Sequence, residues 1–572
     1  MTTTETIRDI DHLILGAGPA GLQLAYFMDR EQRDYLVLEA NDRAGAFYER
    51  FPRHGKLISI NKVYNGYTER RAQLRYDWNS LLCDDDGFNF QNYTDAYYPN
   101  AQLYAQYLRD YAARFDLKIQ YNTWISDVSR AEDGSGRFIV RDADGNLYRS
   151  RTFTVATGVS KPYVPEIPGI ELTENYFDMS IDPKDYADQR LLIIGKGNSA
   201  FETANHLLNA TRVTHLASPG SIKMAWQSHF FGHLRAVNNE FLDTYILKGQ
   251  NSVLDANIDK IEKVDGEYRV NITFTHAEGQ RAEMAYDRVI CCTGFRWDPK
   301  FFGENCRPDM ACEDRLPAMT SGWESTNIPN LYYAGTIMQI RDLKKTMSNV
   351  LHGFRFNIKS LYNIIAQQHE STPYPSHRLP LAAEPLADKI IDRVSSDAGL
   401  MHQPGFLGDC MVVDRETGEA RYHEGLAVDY ILDSEFGQQQ DYYIITMEYG
   451  DFEGNVFSLE REPHPEKAYN DAYLHPRIRH MRGNALIAEH HISESLENDW
   501  RLNEHCGKRK LIRAIDFVGQ EDPTQYQQTH FDKLVCFFER QLAVDTASAT
   551  PMCHESSSPT ACSTACEVSQ KA

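Results

Sequence analysis

The sequence predicts an α/β fold that contains two copies of one strand–turn–helix unit and ends in a smaller α+β region. Near the N-terminus, an apolar strand over residues 12–15 runs into a glycine-rich turn and then into a helix. The same order returns at residues 191–208. A strand, a glycine-rich turn and a helix in this order form the phosphate-binding corner of a nucleotide-binding α/β unit. We therefore expect two Rossmann-like units in the chain.

The first turn reads Gly16-Ala17-Gly18-Pro19-Ala20-Gly21. Gly16 permits the tight turn, Gly18 lets the backbone approach a pyrophosphate, and Gly21 allows the helix to pack closely on the strand. The helix begins at Pro19 and Ala20, so its free N–H groups and the positive end of its dipole would face the phosphates. This turn is therefore predicted to bind a dinucleotide.

Four positions outside the turn belong to the same predicted site. The next strand ends at Glu39, about 20 residues after the turn, where a carboxylate takes ribose hydroxyls. Thr157 and Gly158 end an apolar strand, and small residues there would let the chain pass close under a cofactor. Gly335 ends a further buried strand, and a helix expected over residues 343–364 would point its N-terminus at the same cofactor.

The second turn, Gly195-Lys196-Gly197-Asn198-Ser199-Ala200, has alanine in place of the third glycine, which the fingerprint tolerates. The strand that follows ends with no acid, and Ser218, Ser221 and Lys223 come next. A carboxylate there would hold the 2′-hydroxyl of NAD, whereas hydroxyls and a cation suit a 2′-phosphate. NADPH is therefore favoured, and its expected ligands are Gly195, Gly197, Asn198, Ser199, Ser218 and Lys223.

Composition and charge exclude several classes of function. Of the 572 residues, 42% are hydrophobic and 24% charged, which indicates a globular chain of about three to four domains. A net charge of −22 argues against a nucleic-acid or membrane partner, and no apolar run is long enough to span a bilayer. The eleven cysteines include no Cys-x-x-Cys pair, which argues against a dithiol reductase. Without an apolar leader, the cytoplasm is the expected location.

A separate C-terminal α+β region is expected over residues 380–545, followed by a tail, residues 546–572, that is predicted to be disordered. The region is expected to contain a strand over residues 442–449 and a long helix over residues 477–499. Metal binding would require three or four side chains to converge on one point. The spacing of the histidines would not place them on the same face of the expected helix. No metal site is therefore predicted from His475, His480, His490, His491 and Glu494.

Taken together, these motifs resemble the flavin-containing monooxygenase superfamily over residues 11–365. The first turn with Glu39 resembles its FAD fingerprint, and the second turn resembles its NADPH fingerprint. The stretches at residues 155–158 and 291–295 resemble the two strands where the domains of that superfamily cross. The resemblance implies FAD and NADPH as cofactors, an FAD domain at residues 1–189 and 288–370, and an NADPH domain at residues 190–287.

A closer resemblance extends into the C-terminal region. The chain also resembles the FAD-dependent oxidoreductase domain-containing protein 2 group. The similar stretches are residues 51–62, 75–82, 195–204, 234–248, 352–357 and 474–484. Similar microbial proteins include N-hydroxylating monooxygenases that oxidise the amine of L-aspartate to nitrosuccinate, and the resemblance implies a C4a-hydroperoxide of the flavin as the oxidant. The resemblance thus implies O2 and a small-molecule substrate, an amino acid or another primary amine, and leaves homo-oligomerisation open.

The irregular segment of residues 43–82 is expected to line the flavin, because a long stretch of this kind beside a cofactor fold is usually functional. Asn79 resembles the superfamily asparagine that positions NADP and oxygen, although a turn-capping asparagine is the alternative. Asn61 and Lys62 precede it as further catalytic candidates. A dicarboxylate substrate would need cationic clamps, for which the candidates are Arg53, Lys56, Arg235 and Arg341.

One motif departs from the superfamily pattern. Members carry Phe-x-Gly-x-x-x-His-x-x-x-aromatic before the second turn, and the aligned positions here are Tyr176, Asp178, Asp182 and Tyr186. The loss of the glycine and the histidine favours one alternative, an NADPH-dependent flavin oxidoreductase or oxidase without oxygen insertion. A further alternative is a flavin-bearing protein whose C-terminal region docks a client.

Overall fold

The computed structural model describes residues 7–245, 250–451, 456–462, 465–501 and 523–543. The predicted α/β fold is confirmed, with two sheets that each contain the parallel strands of a nucleotide-binding unit. We call these units the first fold and the second fold. The strands of the first sheet are, in spatial order, Ile119–Gln120, Tyr35–Leu38, Ile7–Leu15, Leu147–Val155, Phe138–Asp142 and Ile125–Arg130, with Leu331–Tyr333 paired to the carboxyl end of Leu147–Val155.

The second sheet contains a long strand, Asn251–Val264, that is not among the predicted elements. Its residues do not alternate between polar and apolar, so the sequence gives no strand signal there. This strand pairs in parallel with Val213–Ser218 and antiparallel with Glu267–Phe274. The order across the sheet is Arg281–Tyr286, Glu267–Phe274, Asn251–Val264, Val213–Ser218, Arg190–Ile194, Arg288–Cys291 and Glu174–Asn175.

The predicted helix over residues 343–364 is wrong at its start. Residues Gly335–Asp342 form a 3-10 helix, and the α-helix runs over Leu351–Glu370. Lys344 has a φ of +57° and Val350 is extended, so both residues interrupt helical geometry. The described α-helices are Pro19–Arg30, Phe47–Arg50, Arg70–Gln73, Ala101–Arg114, Asn198–Leu207, Ala225–Ser228, Glu240–Tyr245, Leu351–Glu370, Ala383–Ser396, Ala398–His402, Val428–Asp433 and Pro523–Ala543.

A six-stranded antiparallel sheet forms the centre of the C-terminal region. Its strand Tyr442–Glu448 has both faces buried, because alternate residues enter two different cores. Tyr442 and Ile444 pack in the core that includes helix Leu351–Glu370, whereas Tyr443 and Ile445 pack under two helices on the other side. The strands are, in order, His377–Pro380, Glu419–Ala427, Leu407–Asp414, Tyr442–Glu448, His475–Arg482 and Ala485–His491.

The predicted helix over residues 477–499 is wrong. The chain forms the antiparallel strands His475–Arg482 and Ala485–His491, joined at Gly483. Gly483 takes a φ of +51° at the turn between the two strands, a conformation that glycine adopts readily. The tail of residues 546–572 lies outside the described residues, and no helix in the described part of the chain could cross a membrane.

Candidate active site

The first turn has the shape that phosphate binding requires. Strand Ile7–Leu15 ends against it, and helix Pro19–Arg30 begins directly after Gly18. A Cβ on Gly21 would lie 1.8 Å from the carbonyl oxygen of Gly16, so only glycine fits at that position. A Cβ on Gly18, by contrast, would meet no atom within 4 Å. The open space beside Gly18 lies at the helix N-terminus, where a pyrophosphate would bind.

Glu39 lies directly against the first turn. Glu39 is 8% exposed, and one of its carboxylate oxygens accepts a hydrogen bond from the backbone N–H of Ala17 at 2.7 Å. The other oxygen accepts from the backbone N–H of Asn41 at 2.8 Å. Among the described residues, no cation lies within salt-bridge distance of this carboxylate. Its charge is therefore held by N–H groups, which is a favourable arrangement for an ionised acid.

The small residues predicted at two strand ends let the chain pass close to the first turn. Ala156, which precedes Thr157 and Gly158, places its carbonyl oxygen 2.9 Å from the position of a Cβ on Gly16. Gly335 has a φ of +85°, and a Cβ there would lie 2.6 Å from the Cβ of Ala20. Both strand ends and the turn thus meet at one edge of the first sheet.

The second turn repeats this geometry. A Cβ on Gly195 would lie 2.3 Å from the carbonyl oxygen of Cys292, and the space beside Gly197 is open. Ser218 is half-buried and Lys223 is exposed. The turn and the loop that follows the next strand are therefore accessible to a ligand.

Asn198 ties the second turn to residues 224–245. It is the first residue of helix Asn198–Leu207. Its side-chain amide donates to the carbonyl oxygen of His233 at 2.8 Å, and its side-chain oxygen accepts from the backbone N–H of Arg235 at 3.0 Å. This predicted NADPH residue therefore fixes the position of Arg235.

A buried carboxylate fixes the shape of residues 59–80. Asp77 is fully buried, accepts a hydrogen bond from the backbone N–H of Asn79 at 3.1 Å and lies 3.1 Å from the guanidinium of Arg70. Although burial opposes ionisation, the charges of Arg70 and Arg355 hold the pKa of Asp77 below its usual value. The carboxylate is therefore ionised, and it fixes the backbone at Asn79.

The three predicted catalytic residues differ in which of their polar atoms remain available to a ligand. The side-chain oxygen of Asn79 accepts from the hydroxyl of Ser59 at 2.5 Å, and its amide nitrogen donates to a backbone carbonyl at 3.0 Å. Asn61 donates to the carbonyl oxygen of Thr94 at 2.7 Å, but its own side-chain oxygen is buried without a partner among the described residues. Lys62 is exposed. Asn61 thus offers a buried acceptor to a ligand.

Next to Asn79 lies a buried group of side chains that we call the aromatic cluster: Trp78, Phe231, Arg235, His352 and His402. Trp78 stacks on His352 with ring centroids 4.0 Å apart. The guanidinium of Arg235 lies 5.3 Å from the ring centroid of Trp78 and 4.8 Å from that of Phe231. Residues from the first fold, the second fold and the C-terminal region therefore meet at this place.

Two polar groups of the aromatic cluster lack a charged partner. His352 is 1% exposed, and neither ring nitrogen has a hydrogen-bond partner among the described residues. Arg235 is 8% exposed and neighbours the hydroxyl of Tyr98, but no described carboxylate lies within salt-bridge distance. Burial lowers the pKa of both groups, and that of His352 falls well below its usual value. The imidazole is therefore neutral, whereas the guanidinium remains charged.

The other three predicted substrate cations are placed differently. Arg53 donates to the carbonyl oxygen of Met179 at 2.6 Å, and Arg341 forms an ion pair with Asp429. Lys56 is exposed. Of the four candidates, Arg235 is the buried cation that the described residues leave without a counter-ion.

The C-terminal region forms the back of the aromatic cluster. One ring nitrogen of His402 lies 3.0 Å from the carbonyl oxygen of Arg75, and the other lies 3.3 Å from that of His352. The buried guanidinium of Arg75 donates to the carbonyl oxygens of Ser395 at 2.7 Å and Asn498 at 2.8 Å. His352 falls in the stretch of residues 352–357 that carries the resemblance, whereas no sequence signal marks His402.

The two aspartates that replace the superfamily glycine and histidine are exposed. Asp178 forms an ion pair with Arg50 at 2.8 Å, and its side chain is 79% exposed. Asp182 accepts a hydrogen bond from the backbone N–H of Lys184 at 3.0 Å and so caps the 3-10 helix Pro183–Tyr186. Both carboxylates therefore stabilise local structure at the surface.

Comparison with known proteins gives the family. A family model described as pyridine nucleotide-disulphide oxidoreductase matches residues 13–335. FAD-dependent oxidoreductase domain-containing protein 2 of Mus musculus is 34% identical over 86% of this chain and 81% of its own length. The protein of the same name in Danio rerio is 30% identical over 88% of this chain and 84% of its own length. Senecionine N-oxygenase of Tyria jacobaeae is 24% identical over 56% of this chain and 66% of its own length.

Two conclusions follow from this match. FAD and NADPH, the cofactors predicted from the two turns, are cofactors of flavoproteins of this kind, and the chain is a flavin-dependent oxidoreductase. The chain therefore belongs to the pyridine nucleotide-disulphide oxidoreductase family, and within it to the same family as FAD-dependent oxidoreductase domain-containing protein 2.

Proposed function

We propose that this chain is an NADPH-consuming flavin monooxygenase that N-hydroxylates the amine of a small amino acid, with L-aspartate and nitrosuccinate as the first substrate and product to test. The observation that carries the proposal is Arg235, a buried guanidinium in the aromatic cluster without a described counter-ion. A buried charge is costly unless a partner compensates it. A carboxylate on the substrate would be that partner.

The aromatic cluster suits a carboxylate-bearing amine for two reasons. A guanidinium presents parallel N–H donors that match a carboxylate, and charge-assisted hydrogen bonds of this type are among the strongest in proteins. The rings of Trp78 and Phe231 cover Arg235 and keep water away, which strengthens its attraction for an anion. The substrate would then be held by its acid group, with its amine left for the reaction.

The residues present fit both cofactors. The open space beside Gly18, with Glu39 against the turn, would hold FAD, and the space beside Gly197, with Ser218 and Lys223, would hold NADPH. The side-chain oxygen of Asn61, which has no described partner, is a further acceptor that a ligand could use. Bound FAD would supply the redox chemistry, because it accepts a hydride and activates O2, while the protein supplies position and electrostatics.

His352 would orient the amine of the substrate. The nitrogen must be the neutral amine, with a lone pair, before it can be oxidised. Because the imidazole of His352 is neutral and neither ring nitrogen has a described partner, its unprotonated nitrogen can accept a hydrogen bond from that amine. The packed rings of Trp78 and His402 on either side would exclude water from the reaction.

The test is NADPH consumption by the purified holoprotein under air, with a panel of amino acids and peroxide measured in parallel. We expect L-aspartate to accelerate NADPH loss without matching peroxide. Arg235→Met should raise KM for L-aspartate about a hundredfold, since it removes a charge-assisted contact, and should leave KM for NADPH unchanged. Lys56→Met, which removes an exposed cation, is the matched control and should alter neither constant. An unchanged KM for every amino acid in Arg235→Met would contradict the proposal.

A second candidate function is an NADPH oxidase without oxygen insertion, and the replacement of the superfamily glycine and histidine by Asp178 and Asp182 favours it. In that case every substrate would leave the rate unchanged, and all consumed NADPH would appear as peroxide. A tightly held flavin with no NADPH turnover would favour the client-binding alternative instead. The same assay therefore separates the three functions.

A further inference from the structure

The second fold has a carboxylate beside the strand end at which the sequence shows no acid. The loop of residues 218–223 follows strand Val213–Ser218 and contains the groups expected to meet a 2′-phosphate. In the neighbouring strand, Asn251–Val264, Asp255 is the register partner of Ser218. A carboxylate is thus present at the ribose end of this fold, although it comes from a different strand.

Lys196, the second residue of the second turn, is directed at this carboxylate. Its side chain is 4% exposed, and its ammonium group forms an ion pair with Asp255. The same ammonium donates to the carbonyl oxygens of Ser218 at 3.1 Å and Gly220 at 3.0 Å. An ammonium group has three N–H donors, so these three contacts engage all of them.

Asp255 also holds the loop from its other oxygen. That oxygen accepts a hydrogen bond from the hydroxyl of Ser221 at 2.9 Å and lies 2.8 Å from a ring nitrogen of His276. The side chain of Asp255 is 25% exposed, so it is only partly covered by these contacts. The carboxylate is therefore one hydrogen bond away from a hydroxyl expected to meet the 2′-phosphate.

We propose that Lys196 determines the preference of the second fold for NADPH over NADH, because it neutralises Asp255 and holds the loop of residues 218–223 in place. An unpaired carboxylate at this position would accept the 2′-hydroxyl of NADH and repel a 2′-phosphate. With its charge balanced by a buried ammonium, Asp255 does neither. Lys196 acts through Asp255 and the loop, so it is a positioning residue. The inference rests on the assignment of NADPH to the second fold.

The experiment measures the binding of 2′,5′-ADP and 5′-AMP to the FAD-loaded protein by calorimetry, so that no turnover is needed. Wild type should prefer 2′,5′-ADP. Lys196→Met should reduce that preference about tenfold or more, because a carboxylate is left unpaired beside the phosphate. Lys196→Met/Asp255→Asn should regain most of the preference, since the second change removes the charge. Lys260→Met, an exposed lysine on the same strand as Asp255, should bind both probes like wild type.

Several results would overturn the inference. One is an unchanged preference in Lys196→Met, and another is a double variant as weak as the single variant, which would indicate a purely structural role. If Lys196→Met does not fold, as judged by its flavin content and melting temperature, the inference is tested by the binding preference of Asp255→Asn alone. This variant should raise the preference for 2′,5′-ADP, because it leaves the ammonium of Lys196 without a counter-charge near the phosphate, and no rise would overturn the inference. A wild type without any preference would instead remove the NADPH assignment itself, and the inference with it.

Discussion

The two folds use the second residue of the turn in opposite ways. In the first fold, the backbone N–H of Ala17 donates to Glu39, and no described cation approaches that carboxylate. In the second fold, the corresponding residue is Lys196, and its side chain forms an ion pair with Asp255. One fold thus presents a carboxylate with its charge available, and the other presents a carboxylate with its charge cancelled.

The comparison teaches that the presence of an acid near the end of the second strand does not by itself determine whether the fold binds a ribose with a free 2′-hydroxyl or one with a 2′-phosphate. A carboxylate held by N–H groups remains a strong acceptor for hydroxyls. A carboxylate paired with a buried ammonium has lost most of that capacity and no longer repels a phosphate. Whether the acid is neutralised therefore matters as much as whether it is present.

The largest effect is expected from a substitution that would force the first turn to open. Gly21→Ala should abolish FAD binding, because its Cβ would lie 1.8 Å from the carbonyl oxygen of Gly16 and the turn would have to open. The measurement is flavin absorbance relative to protein after purification. The matched change in the second fold, Ala200→Gly, should keep the flavin and cost no more than about 1 kcal/mol of unfolding free energy. A yellow Gly21→Ala protein with normal melting would contradict this view of the first turn.

The second effect concerns a position where the two helices differ in charge. Gln23 in the first fold exchanges two hydrogen bonds with the backbone of Leu82, at 3.0 and 2.6 Å. Its counterpart Glu202 is held by the hydroxyl of Tyr176, and burial raises the pKa of Glu202 from 4.5 to about 7. The folded state therefore binds this proton more tightly than the unfolded state does.

The sign of the resulting pH dependence follows from linkage. A carboxyl with a raised pKa stabilises the fold fully below pH 4.5, and that stability is lost as the pH rises to about 7. Relative to wild type, Glu202→Gln should gain up to about 3 kcal/mol of unfolding free energy between these limits, as measured by denaturant titration. Gln23→Glu should create a similar dependence in the first fold. Parallel curves for wild type and Glu202→Gln would show that Glu202 does not titrate in this range.

The smallest effect is expected at the surface departure from the superfamily motif. Asp178→Ala removes an exposed ion pair with Arg50, so the unfolding free energy should change by less than about 0.5 kcal/mol. The ratio of peroxide to NADPH should also remain that of wild type. A large rise in peroxide would mean that this surface carboxylate affects the reaction, and would move the oxidase candidate ahead.

Much of the fold could be predicted because its signals are local. The glycines of the two turns and the apolar run of residues 442–447 can each be recognised within a few neighbouring residues. The helix predicted over residues 477–499 failed because the apolar residues of this segment do not alternate with polar ones, so the sequence carries no clear strand period there. Gly483 and Asn484 are the local signal for the hairpin turn in this segment.

The site was less predictable because its contacts are not local. Arg235 was a candidate, but its burial without a counter-ion depends on Trp78 and Phe231, which come from different parts of the chain. Asp255 was missed because its strand lacks alternation, and only the register with Ser218 brings it to the loop. His402 reaches the aromatic cluster from the C-terminal region, for which no motif predicted a contact.

The position of His402 also bears on the order in which a newly made chain can assemble its parts. Both nucleotide-binding turns are complete in sequence long before His402 leaves the ribosome, and Asn498, which anchors Arg75, emerges later still. Domains generally fold as units during synthesis, N-terminal parts first. A nascent chain can therefore bind its nucleotides before the aromatic cluster around Trp78 is complete. The backbone contact that anchors Arg75 behind that cluster becomes available only once translation has passed residue 498.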